Sequence, residues 1–170
     1  LKSRKKEAVL SEHNRSVSRV VFSPGKKLLS ADTNGGLCLW DTDSWRLSGS
    51  MKPDGHAITA AAFSADDKLF FCGNEKGVLI CGNTFALNNE ESVFKGMKLH
   101  QSAITGIFAL NNDPQILTTG KDGYVKASQI KSQYNPVFSP TAEYFQDGRQ
   151  ILCADFHQGG KMLAAGLNDG

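Results

Sequence analysis

Short apolar or alternating runs recur along the chain, each closed by a turn signal and each too short to bury the face of a helix. In the first unit, Val17 to Phe22 reads as a strand a and Pro24-Gly25 opens a turn. Lys27 to Ala31 follows as strand b, Asn34-Gly35 as a tight turn and Leu37 to Trp40 as strand c. An outer strand d is expected at Trp45 to Met51, ahead of a Pro53-Asp54-Gly55 loop. The same template predicts strands at Ile58 to Phe63, Lys68 to Cys72, Val78 to Cys81 and Ser92 to Met97. It continues with Ile104 to Ala109, Gln115 to Thr119, Tyr124 to Ala127 and a strand near Val137, then Ile151 to Phe156 and Met162 to Ala165. Ala8 to Ser11 stands where the outer strand of a preceding unit would lie. No helix-period segment of useful length interrupts this series, so the expected class is all-β.

The units are copies of one another. FSPGKKLLSADTNGGLCLWD from Phe22 is followed by FSADDKLFFCGNEKGVLICGN from Phe63, ALNNDPQILTTGKDGYVKASQ from Ala109 and FHQGGKMLAAGLNDG from Phe156. Their turn glycines, Gly35, Gly77, Gly123 and Gly170, recur at a spacing of roughly 40 to 50 residues, the period of one four-stranded propeller blade.

The Trp40-Asp41 and Gly55-His56 pairs and the FSP and NDG turns resemble the WD-repeat β-propeller family, with the likeness running from about residue 7 to residue 170. The resemblance implies about three to four four-stranded antiparallel blades. They fall at 13–53, 54–98, 99–142 and, incomplete, 143–170, behind a basic arm and an outer strand of a preceding or closing blade at 1–12. Such propellers usually have about seven blades, on the order of 300 residues. The chain opens on Leu1 and stops at Asn168-Asp169-Gly170, so it reads as a piece of a larger ring.

The resemblance also implies a buried relay from the strand c Trp to a strand b Ser or Thr, then to a His and to an acid in the b–c turn. Carried over by position, the first blade offers Trp40, Ser30 and His13 with Asn34 in place of the acid. The third offers His100, Thr118 and Asp122 with Ser128 in place of Trp. The second keeps His56 alone, with Cys72, Lys76 and Gly82 at the other places, and the fourth has Asp169 opposite Ala165. An amide cannot stabilise an imidazole as a carboxylate does, so the first relay is expected to be the weaker one.

Composition changes this picture little. The 19 Lys and Arg nearly balance the 17 Asp and Glu, which gives no overall field that would select nucleic acid. Lys2, Arg4, Lys5 and Lys6 form the one strong basic cluster, read first as a solvated arm and second as a contact for phosphate or an acidic partner. Cys38, Cys72, Cys81 and Cys153 lie in or beside strands without C-x-x-C spacing and read as buried small hydrophobes. No apolar run approaches the roughly 20 residues of a membrane span, and LKSRKKEAVL lacks a signal-peptide core, so cytoplasm or nucleus is expected.

Catalytic readings find little support in the residues. His13, Ser30 and nearby Asp32 suggest a hydrolase, but no nucleophile elbow is present and the same positions recur as structural members of the repeat. Gly159-Gly160-Lys161 ends in Met162 where a phosphate loop needs Ser or Thr. Asp66-Asp67 and Glu90-Glu91 read as solvated turns, and Ser23-Pro24 and Ser139-Pro140 as turn openers before phosphorylation sites. No catalytic residue, metal, cofactor or small-molecule substrate is expected.

Recognition in such propellers sits on loops held by a rigid ring. By resemblance, the face bearing the d–a and b–c loops is the partner side, which points to Ser16, Ser18, Thr33, Thr59, Glu75, Thr105, Lys121, Gln150 and Asn168. Trp45, Tyr134 and Tyr144 are the aromatic candidates outside that set. The expected role is a non-catalytic protein–protein scaffold in a multi-protein complex. The alternatives are a module of a larger enzyme or a ribonucleoprotein-associated propeller that uses the basic arm.

Overall fold

A computed structural model describes residues 7–85, 87, 93–110, 115–131, 138–145, 148–157, 159 and 161–170, the side chains of 93–95 excepted. Every regular element among them is a strand. In chain order these are β1 (Val17–Phe22), β2 (Lys27–Asp32), β3 (Leu37–Asp41), β4 (Arg46–Met51), β5 (Ile58–Phe63), β6 (Leu69–Asn74) and β7 (Val78–Asn83). They continue as β8 (Val93–Lys98), β9 (Ile104–Ala109), β10 (Gln115–Gly120), β11 (Tyr124–Ile130), β12 (Phe138–Phe145), β13 (Ile151–His157) and β14 (Met162–Leu167). They form antiparallel sheets β1-β2-β3-β4, β5-β6-β7-β8 and β9-β10-β11-β12, with the hairpin β13-β14 as a fourth unit.

The expected strand starts hold closely, and most strands run one to three residues further toward the loops than hydrophobicity suggests. The extension follows the ladder: Val17 pairs with Asp32 and Ile58 with Asn74, so polar strand ends are held by main-chain bonds that side-chain pattern does not reveal. Residues 8–11, expected as a strand, adopt no regular structure, although Leu10 packs on Leu28, Cys38 and Trp40. Next to Val137, which itself lies outside the described residues, a strand runs over Phe138–Phe145.

Blades stack through their faces. Leu29, Leu37 and Leu39 of the first pack against Ile58, Phe63, Phe70, Cys72 and Ile80 of the second, whose other face sets Leu69, Phe71, Leu79 and Cys81 against Ile104, Ile107, Ile116 and Phe138 of the third. The middle blade is thus covered on both sides, which is why β6 is buried at every position and reads as an unbroken apolar run rather than an alternating one. Each buried Leu, Ile or Phe contributes roughly 1.5–3 kcal/mol. The rings of Phe71 and Phe138 meet edge-on at 6.3 Å across that second seam.

Three of the four cysteines fit this core: Cys38, Cys72 and Cys81 are buried, and burial raises their thiols, that of Cys38 to about 11 with help from the charges of Glu12 and Asp32. Cys153 does not. It is exposed on β13, because the hairpin β13-β14 is covered on fewer sides than the full blades. Asp67 also departs from a solvated turn. With a left-handed φ of 61° it turns its carboxylate onto Lys27 of the neighbouring blade at 2.5 Å, both side chains about four-fifths buried, and the Lys27 ammonium sits 4.9 Å from the Phe85 ring centre. Glu90 and Glu91 lie outside the described residues.

Candidate functional site

In all four units the turn between strands b and c is tied to the loop that enters strand a. The N–H of Thr33 donates to Ser16 O at 3.0 Å, Glu75 to Ala57 at 2.9 Å, Lys121 to Ala103 at 2.9 Å and Asn168 to Gln150 at 3.1 Å. Four copies of one main-chain bond bring both sets of loops to one face and fix them there. Ser16, Thr33, Glu75, Lys121, Gln150 and Asn168 are exposed on it. Glu75 approaches His56 at 3.6 Å and Lys76 at 3.8 Å, all roughly half-exposed.

Ser18, Thr59 and Thr105 have a different placement. They lie within irregularities of the inner-strand ladders, opposite the Ala31/Asp32, Gly73/Asn74 and Thr119/Gly120 steps. The Ser18 hydroxyl donates to Ile58 O of the next blade at 2.7 Å and that of Thr59 to Ile104 O at 2.6 Å, while Thr105 and Thr119 share a bond of 3.0 Å. Their hydroxyls join strands and blades, which removes them from the partner-facing set.

Beneath the face of the first blade runs a continuous relay. The Trp40 indole N–H donates to Ser30 Oγ at 2.8 Å, Ser30 lies 2.7 Å from His13 Nε2, and His13 Nδ1 lies 2.9 Å from Asp32 Oδ2. An ionised carboxylate only accepts, so Nδ1 carries the proton and the Ser30 hydroxyl donates to Nε2. The acid is Asp32 at the end of β2, not the turn residue Asn34. Asp32 also accepts the N–H groups of Asn34 and Gly36, each at 2.8 Å, so the first relay is complete.

The third blade places its acid two residues later. His100 Nδ1 meets Asp122 Oδ1 and its Nε2 meets Thr118 Oγ1, both at 2.9 Å, while Asp122 also accepts the Gln101 N–H at 2.7 Å. Each solution has its own glycine beside the acid. A Cβ on Gly36 would run into the Asp32 carboxylate, and a Cβ on Gly120 would run into His100 and Asp122. At the Trp place, Ser128 is buried with a hydroxyl that finds no partner among the described residues.

In the second blade the histidine is not His56, which is half-exposed. Asp54 stands where His13 and His100 stand, four residues ahead of the inner strand, and Asn74 takes the place of Asp32. The Asn74 amide donates to Asp54 Oδ2 at 2.6 Å and its carbonyl accepts Lys76 N–H and Val78 N–H at 2.9 Å each, so amide and acid have exchanged positions. Gly82 replaces Trp because the Phe70 ring occupies the space. In the fourth unit Asp169 pairs with Arg149 at 3.2 Å on the surface.

Ser30, His13 and Asp32 have the order of a nucleophile, base and orienting acid, but Ser30 is 6% exposed and its oxygen already accepts the Trp40 indole N–H, so the hydroxyl is engaged within the blade. Among the described residues no cluster of His, Cys, Asp and Glu could hold a metal ion, and no helix is long and apolar enough to cross a membrane. Ser23 is buried and bonded to Lys27, which closes it to modification in the folded blade.

The relay has a pH signature. Burial holds the His100 imidazole below its ordinary value, against the opposing pull of Asp122. For Asp122, burial acts upward but is outweighed by the bonds from His100 and Gln101 and by the His100 charge, so its carboxyl lies below the usual range. Asp32 is held low in the same way, burial being outweighed by His13 and the Gly36 and Asn34 N–H groups. In each case the unfolded chain takes up protons that the folded one refuses, so stability falls as pH falls. The thermal midpoint is expected to be level between about pH 7 and 8, to decline below about 6.5 as unfolded His100 protonates, and to drop further below about 4 as the aspartates follow. A midpoint unchanged from neutral to mildly acidic pH would remove His100 from this account.

Sequence reasoning missed one exposed feature. Tyr124 and Phe145 stack at 4.5 Å, with the Lys126 ammonium 4.9 Å from the Tyr124 ring centre and 2.9 Å from Glu143. The pairing depends on the register of β11 with β12, which no local signal specifies. Tyr144 beside it is exposed, Trp45 packs toward Trp40, and Tyr134 lies outside the described residues, as do Lys2, Arg4, Lys5 and Lys6.

Residues 4–41 match the family described as WD domain, G-beta repeat. No curated protein matches the chain. Solved structures that resemble it include that of U3-55K, with a TM-score of 0.74 at 20% identity over 87% of this chain and 45% of that one. The crystal structure of the RRP9 WD40 repeats gives a TM-score of 0.74 at 20% identity over 87% of this chain and 44% of its own. The chain therefore spans less than half the length of these structures.

Proposed function

We propose that this chain, a WD-repeat protein with the propeller fold, is a non-catalytic protein–protein interaction scaffold that presents its d–a and b–c loops to a partner within a multi-protein complex. The observation that carries this reading is the fourfold Thr33–Ser16, Glu75–Ala57, Lys121–Ala103 and Asn168–Gln150 bond. It holds the loop main chain in place before any partner arrives, and preorganised loops lose less freedom on binding. His13, Asp32, His100 and Asp122 beneath them are engaged in bonds within their own blades.

The test is charge reversal at Glu75 and Lys121, two charged and exposed positions of these loops. Glu75→Lys with Lys121→Glu is expected to reduce recovery of protein partners at least several-fold, while the thermal midpoint stays within a degree or two because exposed charges contribute little to stability. Unchanged recovery would remove the loop face. The ribonucleoprotein reading predicts instead that Gln at Lys2, Arg4, Lys5 and Lys6 weakens RNA binding and flattens its salt dependence.

A further inference from the structure

We infer that the loop face of the first blade carries a cleft for a single carboxylate, the side chain of an Asp or Glu in a partner peptide, an inference that rests on the loops being the partner side. The cleft, of about 710 Å³, lies between the loop that enters β1 and the end of β4. Its opening is written inside the blade. Four residues after Asp32 stands Gly36, where a Cβ would run into the Asp32 carboxylate. Four residues after Asn74 the second blade has Val78, whose side chain fills the space over Gly96. Four residues after Gly120 the third has Tyr124, stacked on Phe145. The wall toward the start of the chain is present as well. Leu10 stands three residues ahead of His13, as Met51 stands three ahead of Asp54, and it packs on Cys38 and Trp40. The first blade is thus open where its two neighbours are filled, and it is open because its acid reaches the histidine from Asp32.

The chemistry of the occupant follows from which lining groups are already committed. Asp32 is: His13 Nδ1–H and the main-chain N–H groups of Asn34 and Gly36 all donate to it, and its side chain is 8% exposed. The side chains of Arg15, Asn34, Ser50 and Lys52 make no hydrogen bond or ion pair among the described residues. Neither does that of Glu12, the one acid of the lining left uncommitted. Two cations against one acid leave a single positive charge to be matched, and the free amide and hydroxyl add uncharged donors beside it. That set suits one carboxylate, whose two oxygens accept several such bonds. A phosphate monoester carries close to two negative charges, one more than the cleft can match beside Glu12. A nucleic-acid strand would bring further phosphates past Glu12 and Glu75 on the same face. An apolar group would strip water from the free donors without replacing their bonds. The volume lies within the range of small-ligand sites, roughly 300–1,000 Å³, so it admits an acidic side chain together with its adjoining main chain.

The experiment is amide NMR on the whole chain, titrated with the capped peptide acetyl-Gly-Glu-Gly-amide. Saturable shifts are expected at the main-chain N–H of Asn34 and Gly36 and at the Asn34 side-chain amide, and none from acetyl-Gly-Gln-Gly-amide. Arg15→Gln and Lys52→Gln should each weaken the apparent affinity about threefold, the scale of an exposed ion pair, and together about tenfold. An unchanged Trp40 indole signal marks the blade as intact in both. Lys121→Gln, which removes a cation of the same face outside the cleft, should leave the titration unaltered. Four results would each overturn the proposal: no saturable shift at millimolar peptide, equal shifts from the Gln peptide, tighter binding of the phosphoserine peptide or of a uridine tetranucleotide, or equal weakening by Lys121→Gln. The two readings can fail separately. Partner recovery lost on reversal of Glu75 and Lys121 without any titration by the Glu peptide would keep the loop face and remove the carboxylate site. Titration with recovery unchanged by that reversal would keep the cleft and remove Glu75 and Lys121 from the partner side.

Discussion

Trp40→Ala is expected to destabilise the protein by about 3–5 kcal/mol, the range for removing a large aromatic from a packed interior. Two losses combine in that figure. Trp40 is 5% exposed and packs with Leu28, Cys38, Leu10 and Trp45, so truncation opens a cavity that two antiparallel strands cannot close. It also removes the indole N–H from Ser30, at the start of the relay to His13 and Asp32. Trp40→Phe separates the two, because it restores most of the volume without the donor and should recover more than half of the loss. Chemical denaturation of wild type and both variants measures this. If Trp40→Ala unfolds at the wild-type midpoint, the first blade is not packed as described.

Gly77→Ala is expected to cost roughly 2–5 kcal/mol, although it adds a single methyl group. Its φ of 79° already costs an L-residue about 1–2 kcal/mol. The added Cβ would also strike the carbonyl oxygen of His100 and lie 2.5 Å from that of Ser102, both main-chain atoms of the next blade. Overpacking of this kind costs about 1–3 kcal/mol more. Gly77 O accepts the N–H groups of Leu99 and His100 at 3.0 and 3.1 Å, so relief of the clash would part the second blade from the third. Gly148→Ala is the control. Its φ of 65° carries the same backbone cost, but a Cβ there meets nothing within 4 Å among the described residues, and the difference between the two variants isolates the contact between blades. Equal destabilisation would mean that the joint yields freely.

The blades themselves were legible because each strand is written locally. Val17–Phe22, Ile58–Phe63 and Ile104–Ala109 coincide with their expected bounds, and Gly35, Gly77, Gly123 and Gly170 all take the left-handed φ that their turns require. The relay was only half legible, because a position in a repeat does not say from which neighbouring backbone atom an acid reaches inward. Asp32 and Asp122 arrive at their histidines from places two residues apart, and the sequence trace of that choice is the glycine each leaves behind, Gly36 in one case and Gly120 in the other. Asp54 was hidden for a different reason. The Gly55-His56 dipeptide has the family's letters in a register two residues late, and only the distance to Ile58 reveals that Asp54 occupies the inward place. The Tyr124–Phe145 stack joins residues brought together by pairing alone.

The bonds from Ser18 to Ile58 O and from Thr59 to Ile104 O ask unequal things of the two blades they join. The donor side must supply a small hydroxyl at one position, whereas the acceptor side supplies a main-chain carbonyl, which every residue has. A joint of that kind is generic on its receiving half. Whole blades can therefore be duplicated, exchanged or left to drift in sequence without loss of this link, provided that each newcomer keeps a serine or threonine at the bend of its innermost strand. A single-residue insertion ahead of that bend would be less forgiving than the gain of an entire repeat, since it would turn the hydroxyl away from its neighbour.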